Sequence, residues 1–362
     1  MVRSHRVQRT GRSSLAVTLP KSWTKALNIH VGDPVALRQR GDGTLELNFS
    51  GPREGDEAST RRVVVDATGA RTGTIGRLLV GAYVSGQDRI VVTNLSPEAR
   101  RDMSEIDRVV KHLVGTSLVS DSVDQLEYEV YVDPSKYQHL TLHNRLSQML
   151  HMEVDLLRRF LDARDARLLA QLRPIEDEVD RFYYLIVRQV HLASNDYRLA
   201  RLSGMANHDF QLGCRLVAKM LEVFGDLLSE IGTDLETGWS SIHPPPPEIR
   251  TGLSGMLGRL GQLLDSTTTN LTEMRAGAAD ETLGEIRNAE EEFAALRDRL
   301  SKSAREKETT HLVNCVTLRI LMSVSMLRVI NETCINRSVA PESVANGGFQ
   351  PVSASASMPP AP

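Results

Sequence analysis

Aromatic residues are scarce in this chain, at 4% of 362 positions. Proteins that hold single-stranded nucleic acid stack its bases on aromatic platforms, so that class is set aside. Cysteines are few: Cys214, Cys315 and Cys334 lie far apart in helical text. They read as reduced thiols, not as a disulfide framework or a zinc cluster. The first residues do not read as a secretory leader, and no apolar run of spanning length is expected. The expectation is therefore a cytoplasmic chain with no membrane insertion. No Ser/His/Asp or Cys/His set stands out, and no base beside the acids is poised to activate a nucleophile. No catalytic residue is assigned, and the chain is read as a non-enzyme. Net charge is only −3, so any affinity for a polyanion must be local.

One locally charged stretch is present. Arg3, Arg6, Arg9, Arg12, Lys21 and Lys25 crowd the amino end, and no acid precedes Asp33. The text VQRTGRSSLAVTLPKSWTKAL predicts a strand broken at Gly11, then a strand over Ser14–Leu19 with alternating character. Pro20 stops that strand, and Ser22 is expected to cap a short helix carrying Trp23 and Leu27. Val31-Gly32-Asp33-Pro34-Val35 and Gly41-Asp42-Gly43-Thr44-Leu45 continue as turn, strand, Asp-Gly hairpin and strand. Such a basic β unit suits phosphate neutralisation, with arginines able to fork onto guanine edges. A solvated face that binds nothing would carry the same charges.

The order of these pieces over Arg6–Leu47 resembles the SpoVT-AbrB family, also called the MazE-like antitoxin fold. The LPK-W and G-D-x-V pieces carry the likeness. It implies two chains interlocked through swapped hairpins into one β-barrel, hence a homodimer, bound to double-stranded DNA. On that likeness Arg6, Arg9, Arg12 and Lys21 are the expected DNA contacts. A unit this small has too little core to fold alone, which agrees with dimerisation.

Residues 1–50 are read as this head, and the Gly/Pro-containing text of 50–60 as a linker. Residues 60–134 read as a small βαβαβ domain, with strands at RRVVVD, RIVVT and QLEYEVYV. Ser96-Pro97-Glu98 opens the helix that runs to about Leu113. The glycines of GARTGTIG invite a phosphate-cradle reading. However, the G-x-G start and the lysine of a P-loop are missing, so a tight strand-to-helix connection is expected.

Leu142, Leu146, Met149, Leu150, Leu156, Leu157 and Leu161 recur at helical spacing and open a first helical bundle, 137–237. Pro244–Pro247 interrupts it. A second bundle of similar layout follows over 248–338, and a Ser/Ala/Gly/Pro tail over 339–362 is expected to be disordered. Gly252, Gly255, Gly258 and Gly261 make a smooth helix face, at about 1 kcal/mol each in helix propensity. The fold class is multidomain α+β.

Two acid pairs stand out. Glu176 and Asp180 are four apart on one helix, and Glu222 and Asp226 repeat the spacing on another. Like charges so placed repel by a few tenths of a kcal/mol unless something positive sits there. They suit a hard cation, or they are two solvated faces with Arg181 or another base as counter-charge. His139 and His143 are also four apart, and read as a surface pair ahead of a chelate.

The text E-x-E-V-D-R-x-Y-x-L-I-V-R-Q, with Arg215 to Asp226, resembles the PhoU family over about Leu140–Asn336. That likeness implies paired, mostly antiparallel three-helix bundles and a divalent or trivalent metal of the Mg, Mn or Fe class at Glu176, Asp180, Glu222 and Asp226. It also implies restraint of phosphate uptake through a phosphate ABC transporter ATPase or a signalling partner. The second bundle departs from the pattern. Ala294 falls at the place of Asp180, Arg328 at that of Glu222 and Glu332 at that of Asp226, so one metal site is expected, with Arg328 neutralising Glu332 or Glu292. The expected function is a DNA-binding regulator of phosphate uptake. The alternative is a protein-binding adaptor whose head only dimerises.

Overall fold

A computed structural model describes residues 5–11, 14–26, 28–33, 35–39, 45–48, 61–101, 103–205, 208–241, 246–304 and 306–338. The chain divides into two compact units, Met1–Thr60 and Arg61–Pro362.

In the first unit, β1 (Gln8–Thr10) and β2 (Ser14–Ala16) pair antiparallel, with Arg9 opposite Leu15. Gly11 lies between them at φ 75°, a left-handed value that glycine adopts without strain. Helix α1 (Lys21–Ala26) follows. Its first turn is closed by the Pro20 carbonyl, which accepts from the Trp23 and Thr24 amides. Ser22 is thus inside the helix and is not its cap. Strands β3 (Ala36–Gln39) and β4 (Leu45–Asn48) form a second antiparallel pair. The turn between them, with Gly41-Asp42-Gly43-Thr44, and also Leu27 and Pro34, lie outside the described residues.

The second unit begins with a mixed sheet. Its elements are β5 (Arg62–Asp66), α2 (Thr72–Val84), β6 (Arg89–Thr93), α3 (Pro97–Arg101), α4 (Met103–His112), β7 (Thr116–Asp121) and β8 (Leu126–Val130). Strand order is β5-β6-β8-β7, with β5 parallel to β6 and the other pairs antiparallel. The expected βαβαβ layout is corrected by one strand, β7. It lies at the sheet's edge and is exposed along nearly its whole length, so its text carries no hydrophobic alternation. Ile75, Leu79, Tyr83, Ile90, Val92, Ile106, Leu126 and Tyr128 form the core of this layer.

The glycine loop is a tight connection. Asp66 accepts from the Thr68 amide and hydroxyl and from Asn94, which holds its carboxyl down at about 2. A Cβ at Gly73 would lie 3.0 Å from Glu105, and one at Gly76 3.1 Å from Val109. These glycines let α2 and α4 approach, and the acids beside them do not suit a phosphate.

A short 3-10 turn (Pro134–Lys136) leads into the helices. These are α5 (His139–Ala163), α6 (Ala166–Leu169), α7 (Leu172–Asn195), α8 (Tyr197–Leu202), α9 (His208–Ser241), α10 (Pro247–Glu273), α11 (Ala276–Ser303) and α12 (Lys307–Ser338). The long helices α5, α7 and α9 make one set and α10, α11 and α12 another. Both sets contribute to one continuous apolar core. Pro247 takes the first position of α10, where its missing N–H costs nothing. In each set the first helix ends on a non-glycine residue in the left-handed region, Arg164 at φ 58° and Met274 at φ 55°.

Two expectations are corrected here. Helix α12 is long and apolar enough to cross a membrane by composition. It lies with Val313, Val316, Ile320, Val324, Leu327 and Ile330 in the core. His139 and His143 are buried, not superficial. The His143 ring nitrogens lie 2.8 Å from the His139 carbonyl and 3.1 Å from the Cys214 carbonyl, and the neutral ring that burial favours donates to one of the two. Burial pushes the His139 imidazole down to about 3. The glycine face of α10 is used in parts. Gly252 faces Leu300 of α11, and Gly258 and Gly261 face Arg158 and Val154 of α5.

The sheet layer is fastened to the first helix set by α7. Arg188 is fully buried. It donates to the carbonyls of Tyr83 and Gln87, both at 2.8 Å, and to the Asp88 carboxylate at 2.7 Å. Its guanidinium also lies 5.0 Å from the Tyr83 ring centroid. Gln189 donates to the carbonyls of Pro134 and Tyr137. Gly86, at φ 83°, lies against Leu192, where a Cβ would come within 2.4 Å.

Candidate metal centre and nucleic-acid face

Helices α7 and α9 pack side by side and bring the two acid pairs together. Glu222 is buried, while Glu176, Asp180 and Asp226 are half-buried. Their mutual influence shows in their protonation. Burial, and then Glu222, Asp226, Glu176 and Asp177, hold the Asp180 carboxyl up at about 7. Glu176, Glu222 and Asp226 are also raised, each chiefly by burial. Taking charge out of water disfavours ionisation, and neighbouring anions add to that penalty.

The pattern of acid pairs missed three participants. The first is Glu153 of α5, which is 0% exposed. Neither of its carboxylate oxygens has a hydrogen-bond partner. Burial, then Glu176 and Asp226, push its carboxyl well above the usual range. Its position was available in the spacing: Leu146, Leu150, Glu153 and Leu157 form one apolar stripe in which an acid is out of place. The second is Lys219, which donates to both oxygens of Glu222 at 2.7 and 2.5 Å. It supplies the counter-charge, whereas Arg181 pairs with Glu178. An i, i+3 spacing was the signal for it. The third is His112, from α4 of the sheet layer. Its Nε2 lies 3.3 Å from Asp177 and its Nδ1 3.8 Å from Asp180. No local spacing could have announced it.

The donor set suits a hard cation. It offers several carboxylates, and an acid stranded in the core with both oxygens unpaired is what a cation would satisfy. Among the described residues no group of three His, Cys, Asp or Glu side chains stands ready-made around a point. The carboxylates are spread apart, with Lys219 drawn onto Glu222, and would have to close in around an ion.

The corresponding place in the second helix set is different. Arg328 pairs with Glu290, not with Glu332 or Glu292. Beside it, Asn270 donates to Thr282 and to Asn331, each at 2.9 Å, and Asn331 donates to Thr267 at 2.8 Å. That seam is satisfied from within.

On the first unit, Arg6, Arg9 and Lys21 are exposed. Among the described residues no acid pairs with any of them. Arg12 lies outside the described residues. Large apolar side chains are exposed on the same unit, with Leu15 at 71% and Leu37 at 62%.

Comparison with known families agrees with this layout. Residues 8–48 match the family described as antidote-toxin recognition MazE, bacterial antitoxin. Residues 142–235 match the PhoU domain. No curated protein matches the chain. The chain thus carries a MazE/AbrB-like domain at its amino end and a PhoU domain over residues 142–235. Both families are regulatory, the first pointing to DNA binding and the second to phosphate-related regulation.

Proposed function

We propose that this protein is a transcriptional regulator of phosphate uptake, in which a metal-loaded PhoU bundle sets the state of a dimeric DNA-binding head. The observation that carries the metal half is the buried, unpaired Glu153 carboxylate beside Glu176, Asp180, Glu222 and Asp226. A bound cation of the Mg, Mn or Fe class supplies the charge these oxygens need and a position for an anionic oxygen. Binding it requires the chain to release Lys219 from Glu222 and to give up the protons that burial keeps on Asp180 and Glu153.

The head half rests on Arg6, Arg9 and Lys21, none of which pairs with an acid among the described residues; Arg9 and Lys21 fall inside the MazE match, with Arg12 in the same basic text. The exposed apolar residues of that unit favour a second copy of the chain as their cover. The second reading is an adaptor that docks on a transporter ATPase or a kinase, with the head used only to dimerise. The exposed apolar residues favour it equally, and the unpaired cations do not.

Metal analysis of purified protein, paired with a DNA shift assay, tests the proposal. Wild type should retain metal through gel filtration, and Glu176→Ala/Asp180→Ala should lose it. Wild type should shift double-stranded DNA from upstream of a phosphate-transport operon. Arg6→Ala, Arg9→Ala and Lys21→Ala should each flatten the salt dependence by about one unit of log–log slope. Metal retained in the double variant removes the metal assignment. No shift by wild type at low salt leaves the adaptor reading.

A further inference from the structure

We propose that His112 is a ligand supplied by the sheet layer to the cation site of the first helix set, so that loading the site fastens the two layers together. This rests on the metal reading above.

The acids of the site come from α5, α7 and α9, all within or beside the PhoU match. His112 comes from α4, outside it. Its ring has one nitrogen 3.3 Å from Asp177 and the other 3.8 Å from Asp180. Glu153, close enough to Glu176 and Asp226 to feel their charge, has two oxygens with no partner. An ion held at Asp180 therefore has the His112 imidazole beside it, since Nδ1 already lies 3.8 Å from that carboxylate. A mixed set of oxygens and one imidazole favours Mn, Fe or Zn over Mg, because nitrogen is a poorer ligand for the harder ion.

The mechanical consequence follows from where α7 already holds the sheet layer. Arg188 makes one attachment, through Tyr83, Gln87 and Asp88. Asp180 is eight residues earlier on the same helix, about 12 Å away along its axis. An ion shared by Asp180 and His112 makes a second attachment at that distance.

The experiment uses the full chain, stripped of metal and titrated with Mn²⁺ and, separately, Mg²⁺. Electron spin-echo spectra of the Mn²⁺ form should show modulation from a directly bound ¹⁴N. His112→Ala and His112→Gln should abolish it, weaken Mn²⁺ binding at least about tenfold and leave Mg²⁺ binding within about twofold. In wild type, Mn²⁺ should slow amide exchange in Met103–His112, and both variants should lose that slowing. Mn²⁺ bound without the ¹⁴N signal, or slowing that survives in both variants, overturns the inference while leaving the metal site standing. Failure of wild type to bind either ion overturns it together with the metal reading. Circular dichroism unchanged in either variant shows that the loss is local.

Discussion

The two helix sets bury polar groups at corresponding seams and satisfy them in different ways. In the second set, Thr282, Asn270, Asn331 and Thr267 are linked in a chain of hydrogen bonds, and Arg328 answers Glu290. In the first set the groups are acids, and only Glu222 has a close lysine. Glu153 has no partner at all. A neutral amide and hydroxyl network that is fully paired stabilises a core and fixes its geometry. A crowd of half-buried carboxylates does the opposite until something positive arrives. The same helix layout thus yields one seam complete in itself and one that keeps a buried acid unpaired.

The largest test of that contrast is Asn331→Ala. It leaves a cavity, takes from Thr267 its donor and from Asn270 one of its acceptors, and should cost roughly 2–3 kcal/mol in thermal or denaturant unfolding, with bound metal unchanged. Loss of metal in that variant would break the contrast by showing the seams to be coupled. Next is Glu153→Met, measured with a chelator present. Removing an unpaired buried acid should stabilise the metal-free protein by about 1–2 kcal/mol, the opposite sign to Asn331→Ala, while weakening metal retention. A destabilised metal-free variant would show that Glu153 is already satisfied. The smallest effect is expected from Arg328→Ala. Its side chain is 42% exposed, so losing its pair should cost less than about 1 kcal/mol.

Much of the helical architecture was legible because leucine spacing reports which face is buried. The stripe from Leu142 to Leu161 and the proline run before α10 mark elements directly. Strand β7 was not legible, since an edge strand open to solvent needs no apolar alternation. The acid pairs were visible as spacings on single helices. Their setting was not, because His112 and Glu153 arrive from α4 and α5 through tertiary packing. The histidine pair on α5 was misplaced for a related reason: the backbone carbonyls that satisfy His143 come partly from α9, at Cys214. Sequence spacing shows which residues share a face. It does not show what that face meets.

Arg188 bears on how such a protein could transmit a signal. Pulling the sheet layer away from α7 would leave a bare guanidinium in an oily interior and take a donor from the Tyr83 and Gln87 carbonyls, while Asp88 would keep Arg61, so separation is costly. Gln189 on Pro134 and Tyr137, and Leu192 against Gly86, hold the layer along the same stretch of helix, so a shift that keeps Arg188 dry carries α7 with it.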